Sequence, residues 1–400
     1  MGRGVRRAYK FRLRPTRGQH QRLGACVESH RELYNAALQE RREAWRRCRT
    51  GVSYGQQSDQ LKHIRRLRPD VAVWSFSSQQ ATLRRLNKAF AGFFGRVKRG
   101  EKAGYPRFKG AERFDGVEWP KDGDGCRWKP QVARVYLQGV GDVKATVHRQ
   151  VRGRVKTIQV KKQGRKWYLV LSCEDVPARP LKPTGVVAGV DVGIFDFAVT
   201  SDGEHIPNPR WGRQAARKLQ RAAHSLSRKQ RGSNNRRAAR ETVAARHRKI
   251  AERRRDWHHK QARSLVAAND VLFFEGLTVK TMVRRARPVP DPDNPGGFLP
   301  NGQAAKSRLN RSIHDAGWAA FVNILKAKAE EAGRRVVDVN PRHTSDRCER
   351  CSYAAKENRV SQADFVCGKC GHIAQADEHA ARNILRAGLA LLAAENPEAA

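Results

Sequence analysis

The chain has 400 residues, of which 81 are Lys or Arg and 38 Asp or Glu, giving a formal net charge of +43. Self-repulsion at that level calls for a polyanion, either nucleic acid or an anionic membrane surface, and a GC-rich genome that trades Lys for Arg leaves the excess over acids unexplained. No run of 18 apolar residues occurs and no apolar stretch follows the basic, alternating N-terminus, so transmembrane and secreted readings fall away and a cytoplasmic, nucleoid-associated protein is expected.

Val5 to Leu13 alternates apolar and basic residues, which predicts a strand ended by Pro15. Two basic helices follow. Thr16 to about Arg49 carries Leu23, Val27, Leu33, Leu38 and Trp45 at helical spacing, and Ser77 to about Arg99 carries Leu83, Leu86, Phe90 and Phe94. Gly104 to Gly110 breaks the pattern, and short β-like segments, Val155 to Val160 and Trp167 to Leu171 among them, run on to Glu174. The Pro-rich Val176 to Pro183 reads as a linker. Beyond it, Gly185 to Val190 and Phe195 to Thr200 are strands, with Asp202-Gly203 turning toward a third near His205.

Arg210 to Arg263 holds 19 basic against 3 acidic residues, with Leu219 and Leu226 before a GSNN turn and Val243, Ile250 and Trp257 at sevenfold spacing after it. This predicts a basic antiparallel helical hairpin. Merely solvated, such a charge would repel itself, so nucleic-acid contact is expected there, at Arg217, Lys218, Arg221, Arg228, Lys229, Arg236 and Arg237. Val271 to Phe274 is an apolar strand with Glu275 directly behind it, and Arg284 to Gly302 is a Pro/Gly-rich loop free to move. Ser312 to Ala332 reads as one amphipathic helix, with Ile313, Trp318, Phe321 and Leu325 inward and Gly333 as its stop. Val336 to Val339 is a last strand, and Asp377 to about Ala394 a closing helix.

The order of elements after the linker is that of an RNase H-like nuclease fold, in which a sheet covered by helices brings distant carboxylates together. Asp191 lies in the first apolar strand, Glu275 ends the fourth and Asp377 opens the last helix. A carboxylate set into Val and Phe costs several kcal/mol if unpaired, on the order of a buried unpaired ion, and a divalent cation offsets that. Hard oxygen ligands suit Mg²⁺, and two ions about 4 Å apart activate water and stabilise the leaving oxygen of a phosphodiester. Gly193 would let backbone or substrate approach Asp191 closely. The cysteines divide likewise: Cys26, Cys48, Cys126 and Cys173 stand singly and read as ordinary buried thiols, whereas Cys348, Cys351, Cys367 and Cys370 form two CxxC pairs fifteen residues apart. In a reducing compartment that spacing points to a closed, structural Zn²⁺ site.

The segments YKFRLRPT, GYPRFKG, GVDVGIFDFAVTSDG, VLFFEGL, NRSIHDAGWAAF, the paired cysteines and ADEHAARNIL, in this order, resemble the TnpB family, OrfB-type transposon-encoded RNA-guided nucleases similar to compact type V CRISPR effectors. The resemblance spans nearly the whole chain and implies a multidomain α/β protein with a β-barrel. Residues 1–14 and 104–183 would form a wedge-like β-barrel interrupted by a helical recognition unit at 15–103. Residues 184–345 and 372–394 would form a RuvC-type nuclease domain, with a zinc ribbon at 346–371 and a tail at 395–400. It implies metal-binding catalytic acids at Asp191, Glu275 and Asp377, zinc on the four cysteines, a guide RNA from the transposon end, and double-stranded target DNA recognised beside a short adjacent motif.

Three positions depart from the family pattern. His379 stands where Asn is common and Gln375 where an acid is common, which implies an altered rate or metal preference. Ser352 replaces a Gly after the first knuckle, which implies strain in that turn. The activity expected is RNA-guided, metal-dependent cleavage of DNA. The alternatives are a catalytically weak or inactive guide-directed DNA-binding protein and an accessory transposition protein working with a separate transposase of the same element; no tyrosine stands in a His-hydrophobe-His setting for strand transfer.

Overall fold

A computed structural model describes residues 4–395, which form two compact units dividing at Pro177 and Ala178. The expected tail lies outside the described residues except for Glu395, the end of the last helix.

The first unit is one antiparallel sheet with helices inserted after its first strand. Strand β1 (Val5–Arg14) leads into α1 (Arg17–Cys48), α2 (Tyr54–Leu67), α3 (Pro69–Ala72) and α4 (Phe76–Lys98). Strands β2 (Gly116–Trp119), β3 (Cys126–Lys129), β4 (Arg134–Leu137), β5 (Gly141–Thr146), β6 (Arg154–Gln163) and β7 (Lys166–Val176) complete the sheet, in the order β2-β6-β7-β1-β5-β4-β3. The edge strand β3 comes back within reach of β6, so the sheet curls into a nearly closed barrel. Alternation on β1 works as the pattern predicts: Tyr9, Phe11 and Leu13 are buried among Trp119, Trp167, Leu169 and Leu171, while the basic residues between them face out.

Among the inserted helices, Thr16 and Gln19 cap α1 reciprocally. Buried His30 of α1 bonds the Cys26 carbonyl and the Ser78 hydroxyl (2.8 Å) of α4, and burial pushes its pKa down to about 4, keeping the link neutral. Helix α2 is an addition to the two expected helices and fully buries only Gln57 and Leu61. It is held by a Ser53–Gln56 capping box and by Gln57 accepting from Arg41 of α1 at 2.9 Å. Of the single cysteines, Cys26, Cys126 and Cys173 are buried as expected, but Cys48, in the last turn of α1, is exposed.

The second unit is a mixed sheet covered on both faces. Strands β8 (Val187–Asp191), β9 (Asp196–Thr200) and β10 (His205–Pro207) form an antiparallel meander. The hairpin α5 (Trp211–Ser227) and α6 (Asn234–Ala268) leads to β11 (Val271–Glu275) and α7 (Val279–Met282). The Pro/Gly-rich loop contains two-residue strands β12 (Val289–Pro290) and β13 (Phe298–Leu299), which pair with each other. Then come α8 (Gln303–Ala316), α9 (Trp318–Ala332), β14 (Arg335–Val339), the short pair β15 (Asp364–Val366) and β16 (Ile373–Gln375), and α10 (Ala376–Glu395). The strand order is β10-β9-β8-β11-β14, with β8, β11 and β14 parallel. The expected single helix over Ser312–Ala332 is in fact two, because Gly317 adopts a left-handed conformation (φ +70°) that ends α8 and starts α9. Ile313, Trp318, Phe321 and Leu325 nonetheless all face the core.

The two sheet faces differ. Ala188, Val190, Leu272 and Phe274 pack against α6 and α9, where Phe197 meets Trp257 and Phe321 at ring distances of 4.7 and 4.9 Å. Phe273 points the other way, with Val339 and Ile384, under α10. Two glycines let that helix settle on the sheet: Gly189 faces the backbone of Ala381 and Leu385, and Gly388 lies against the Phe273 ring. A Gly388→Val side chain would displace that ring, at a cost of roughly 1–3 kcal/mol. The expected outcome is a clearly lowered midpoint in thermal unfolding. Gly24→Ala in α1, with no atom within 4 Å of the added methyl, should be neutral or stabilise by up to about 1 kcal/mol.

Candidate active site

Strand periodicity decides where the acids go. On β8, Ala188 and Val190 face α6 and α9, so Asp191 at the strand's end shares the opposite face with Gly189. On β11, Leu272 and Phe274 face α6 and α9, so Glu275 shares the face of Phe273. The strands are parallel with Phe274 opposite Val190, so one step on, Asp191 and Glu275 meet at neighbouring strand ends beneath the helix whose first turn carries Asp377. Gly193 permits a backbone approach here, its N–H bonding the Phe197 carbonyl at 3.1 Å.

The electrostatics report the convergence. Burial, and then the negative charges of Glu275 and Asp377, raise the Asp191 carboxyl from the ordinary aspartate range to about 7, against the pull of Arg359. Glu275 is raised by burial, with the Thr344 hydroxyl and the Arg359 charge acting against it. Thr344 donates its hydroxyl to Glu275, and its carbonyl accepts from Asn383 of α10 at 3.0 Å. Arg359 donates to Asp377 at 2.8 Å. Neither Thr344 nor Arg359 is legible as a site residue in the sequence, since one arginine among 81 basic residues carries no signal.

The four cysteine sulfurs lie within 4.8 Å of one another, with Cys348–Cys370 at 3.7 Å and Cys351–Cys367 at 3.6 Å. Sulfurs bound tetrahedrally to one zinc at its usual bond length stand about 3.8 Å apart, so the donor set fits the ion. Two congruent turns present them: Ser352 N–H bonds the Cys348 carbonyl and Gly371 N–H the Cys367 carbonyl, each at 3.0 Å. Gly371 is left-handed at no cost (φ +67°), whereas Ser352 holds the same conformation (φ +60°) at about 1–2 kcal/mol, the strain its sequence position implied. Arg386, donating to the Ser352 hydroxyl at 3.1 Å, braces that turn. Thr344 precedes the first knuckle and Arg359 stands midway between the two, so the cysteine element delivers both to the carboxylates.

Gln375 and His379 are elsewhere engaged. The Gln375 side chain accepts the Glu378 N–H at 2.7 Å, capping α10. His379 is buried, stacks on Phe365 at 3.7 Å and accepts the Glu349 N–H at 3.3 Å. Burial lowers its pKa to about 4, so it packs neutral against the cysteine element. Two residues along a helix is about 200° of rotation, which turns His379 away from the face of Asp377. His379 therefore serves the packing of the helix and Gln375 its cap.

Of the basic residues singled out on the hairpin, Arg217, Lys218, Arg221 and Lys229 are exposed. Arg236 donates to the carbonyls of Leu226 and Lys229, and Arg237 to Asn234, so these two brace the turn. Arg228 reaches back to the His224 carbonyl. No helix among the described residues is long and apolar enough to cross a membrane.

Known proteins resemble this chain in the same regions. Residues 158–286 match the family OrfB_IS605, "Probable transposase", and residues 318–384 match "Cas12f1-like, TNB domain". Residues 1–50 match a "Helix-turn-helix domain", although here Val5–Arg14 form a strand and Arg17–Cys48 one unbroken helix. The chain is 32% identical over 388 residues to "Putative RNA-guided DNA endonuclease InsQ" of Escherichia coli (strain K12), covering 96% of this chain and 93% of that protein. It is 30% identical over 409 residues to "Putative RNA-guided DNA endonuclease" of Streptomyces pristinaespiralis, covering 96% and 90%. Among solved structures, a Cas12f1-sgRNA-target DNA complex shares its fold, with TM-score 0.56 at 14% identity over 95% of this chain and 98% of that one. With near-full-length relatives at this identity and the OrfB match across its middle, the chain belongs to the TnpB family of transposon-encoded proteins.

Proposed function

We propose that this protein is an RNA-guided DNA endonuclease that cleaves double-stranded target DNA beside a short adjacent motif, directed by a guide RNA from the transposon end. The observation that carries this is the convergence of Asp191, Glu275 and Asp377 on one sheet face, close enough for two of them to shift the third. The second unit is read as an RNase H-like, RuvC-type nuclease, supported by its antiparallel meander, its two further parallel strands and its helices on both faces. The first unit is read as a wedge-like barrel with a helical recognition insertion, and 346–371 as a zinc ribbon.

Asp191, Glu275 and Asp377 would hold Mg²⁺, whose Lewis acidity activates water and steadies the leaving oxygen of a phosphodiester. The chain's own groups prepare that site. Asp191, titrating near neutrality, gives up its proton readily when a cation arrives. Thr344 fixes one oxygen of Glu275, and Arg359 holds Asp377 while keeping guanidinium N–H groups for a phosphate. The guide supplies sequence recognition by base pairing, and the basic surfaces hold the nucleic-acid backbone.

Removing one electrostatic element of an active centre costs on the order of 10²–10³ in rate. Purified protein with its cognate RNA and Mg²⁺ should therefore cut target DNA, and Asp191→Ala should cut at least about 100-fold more slowly while still occupying the target. Equal cutting by both would sink the assignment.

The raised Asp191 pKa has a definite sign. Its contribution to stability is complete below the unfolded value and is lost as pH rises through about 7. In buffers without added divalent ions the thermal midpoint should fall between pH 5 and 8, Asp191→Asn should flatten that fall, and Mg²⁺ should raise the midpoint more at pH 8 than at pH 5. A midpoint insensitive to Asp191→Asn across this range would contradict the buried, coupled carboxylate.

For the cysteine element, elemental analysis should find one zinc per chain. Cys348→Ser should lose it and also lower the unfolding midpoint, because binding and folding are linked at such sites. A zinc-free wild-type protein with the same midpoint would refute the ribbon.

A further inference from the structure

The charge on α5 and α6 is organised into a groove. Trp211, Ala215 and Lys218 recur along α5 at helical spacing and face Arg246, Lys249 and Arg253 on α6 across a cavity of about 350 Å³. A second cavity of about 350 Å³, lined by Glu241, Thr242, Ala245, Arg246 and Lys249, continues it toward the turn. The floor is apolar, formed by Ile250 and by Trp211, whose ring lies 5.9 Å from the Arg253 guanidinium. Lys218, Arg246, Lys249 and Arg253 are exposed, and among the described residues none of them forms an ion pair. The nearby acid Glu241 is taken by Arg248 at 2.5 Å, and Asp256 by Lys260 at 2.9 Å. Four unpaired cations over an aromatic floor, in a nucleotide-sized trough, form a receptor for a phosphodiester chain.

The hairpin's own stability says which chain. In α5 only Ala222 is fully buried, and in α6 the buried residues His258, Ala262, Leu265 and Val266 all lie near its C-terminal end. Over the rest of the hairpin the helices are joined by the half-buried Leu219, Leu226, Val243 and Ile250, against 19 basic and 3 acidic residues between Arg210 and Arg263. So little apolar burial does not hold that charge together unaided, and the counter-charge must be present in the resting protein. Target DNA comes and goes; a guide RNA stays.

We infer that the α5–α6 groove, through Lys218, Arg246, Lys249 and Arg253, holds a single-stranded stretch of the guide RNA backbone and that this contact keeps the hairpin ordered. The inference rests on the RNA-guided reading and goes beyond it in assigning the groove and its occupant.

The test uses the full-length protein and a labelled transcript spanning the 3′ end of the gene and its downstream flank. Affinity is measured across salt for wild type, for Lys218→Ala/Arg246→Ala/Lys249→Ala, and for the charge-keeping Lys218→Arg/Lys249→Arg. Each neutralised single-strand phosphate adds about 0.7 to the log–log slope, so the triple variant should lose about 2 from it and bind roughly 10–100-fold more weakly at physiological salt. The charge-keeping variant should match wild type. Trypsin should cut the hairpin in the free protein and be blocked by the transcript, but not by duplex DNA of equal length. A triple variant with wild-type slope and affinity overturns the inference. So does one that loads the transcript normally but fails to capture target duplex, since the groove would then hold DNA. If wild type binds no transcript, the RNA-guided reading itself falls, a result distinct from loss in the variant alone.

Discussion

Three carboxylates drawn to one partly buried place are the constraint around which the second unit is arranged. Burial, and then the charges of Glu275 and Asp377, make Asp191 harder to ionise, so its protonation is displaced to neutrality. The fold enforces the arrangement with its stiffest parts. Parallel pairing sets Asp191 and Glu275 side by side, and α10, seated on two glycines, lowers Asp377 onto them. Slipping β11 by one residue would turn Glu275 toward α6 and α9 and scatter the cluster.

The acids and cysteines stand out in the sequence because their chemistry leaves few choices. A charge inside VVAGVDVG or behind VLFF is conspicuous, and two CxxC pairs have few uses. The meander, the basic hairpin and the closing helix were likewise readable from period and composition. Other features are hidden in the sequence for physical reasons. Helix α2 is short, and of its apolar residues Leu61 alone is fully buried while Ile64 and Leu67 stay exposed. The break at Gly317 is a matter of one backbone dihedral between two segments that keep their apolar faces inward. Thr344 and Arg359 act through tertiary approach across a loop that has no periodicity.

His379 and Gln375 flank Asp377 in sequence, yet rotation about the helix axis sends His379 to the Phe365 ring, and the polar start of α10 claims Gln375 as a cap. Charge follows a similar division of labour. Arg236 and Arg237, prominent in a run of basic residues, are spent on the hairpin turn, while the cations left unpaired line the groove further down the helices.

Arg359 stands eight residues from Cys351 and eight from Cys367, in a span tied down at both ends by the knuckles. A tether of that kind fixes reach more strictly than composition. A residue added to or taken from either half would carry the guanidinium past Asp377 or leave it short, so in this span the number of residues matters more than which residues they are.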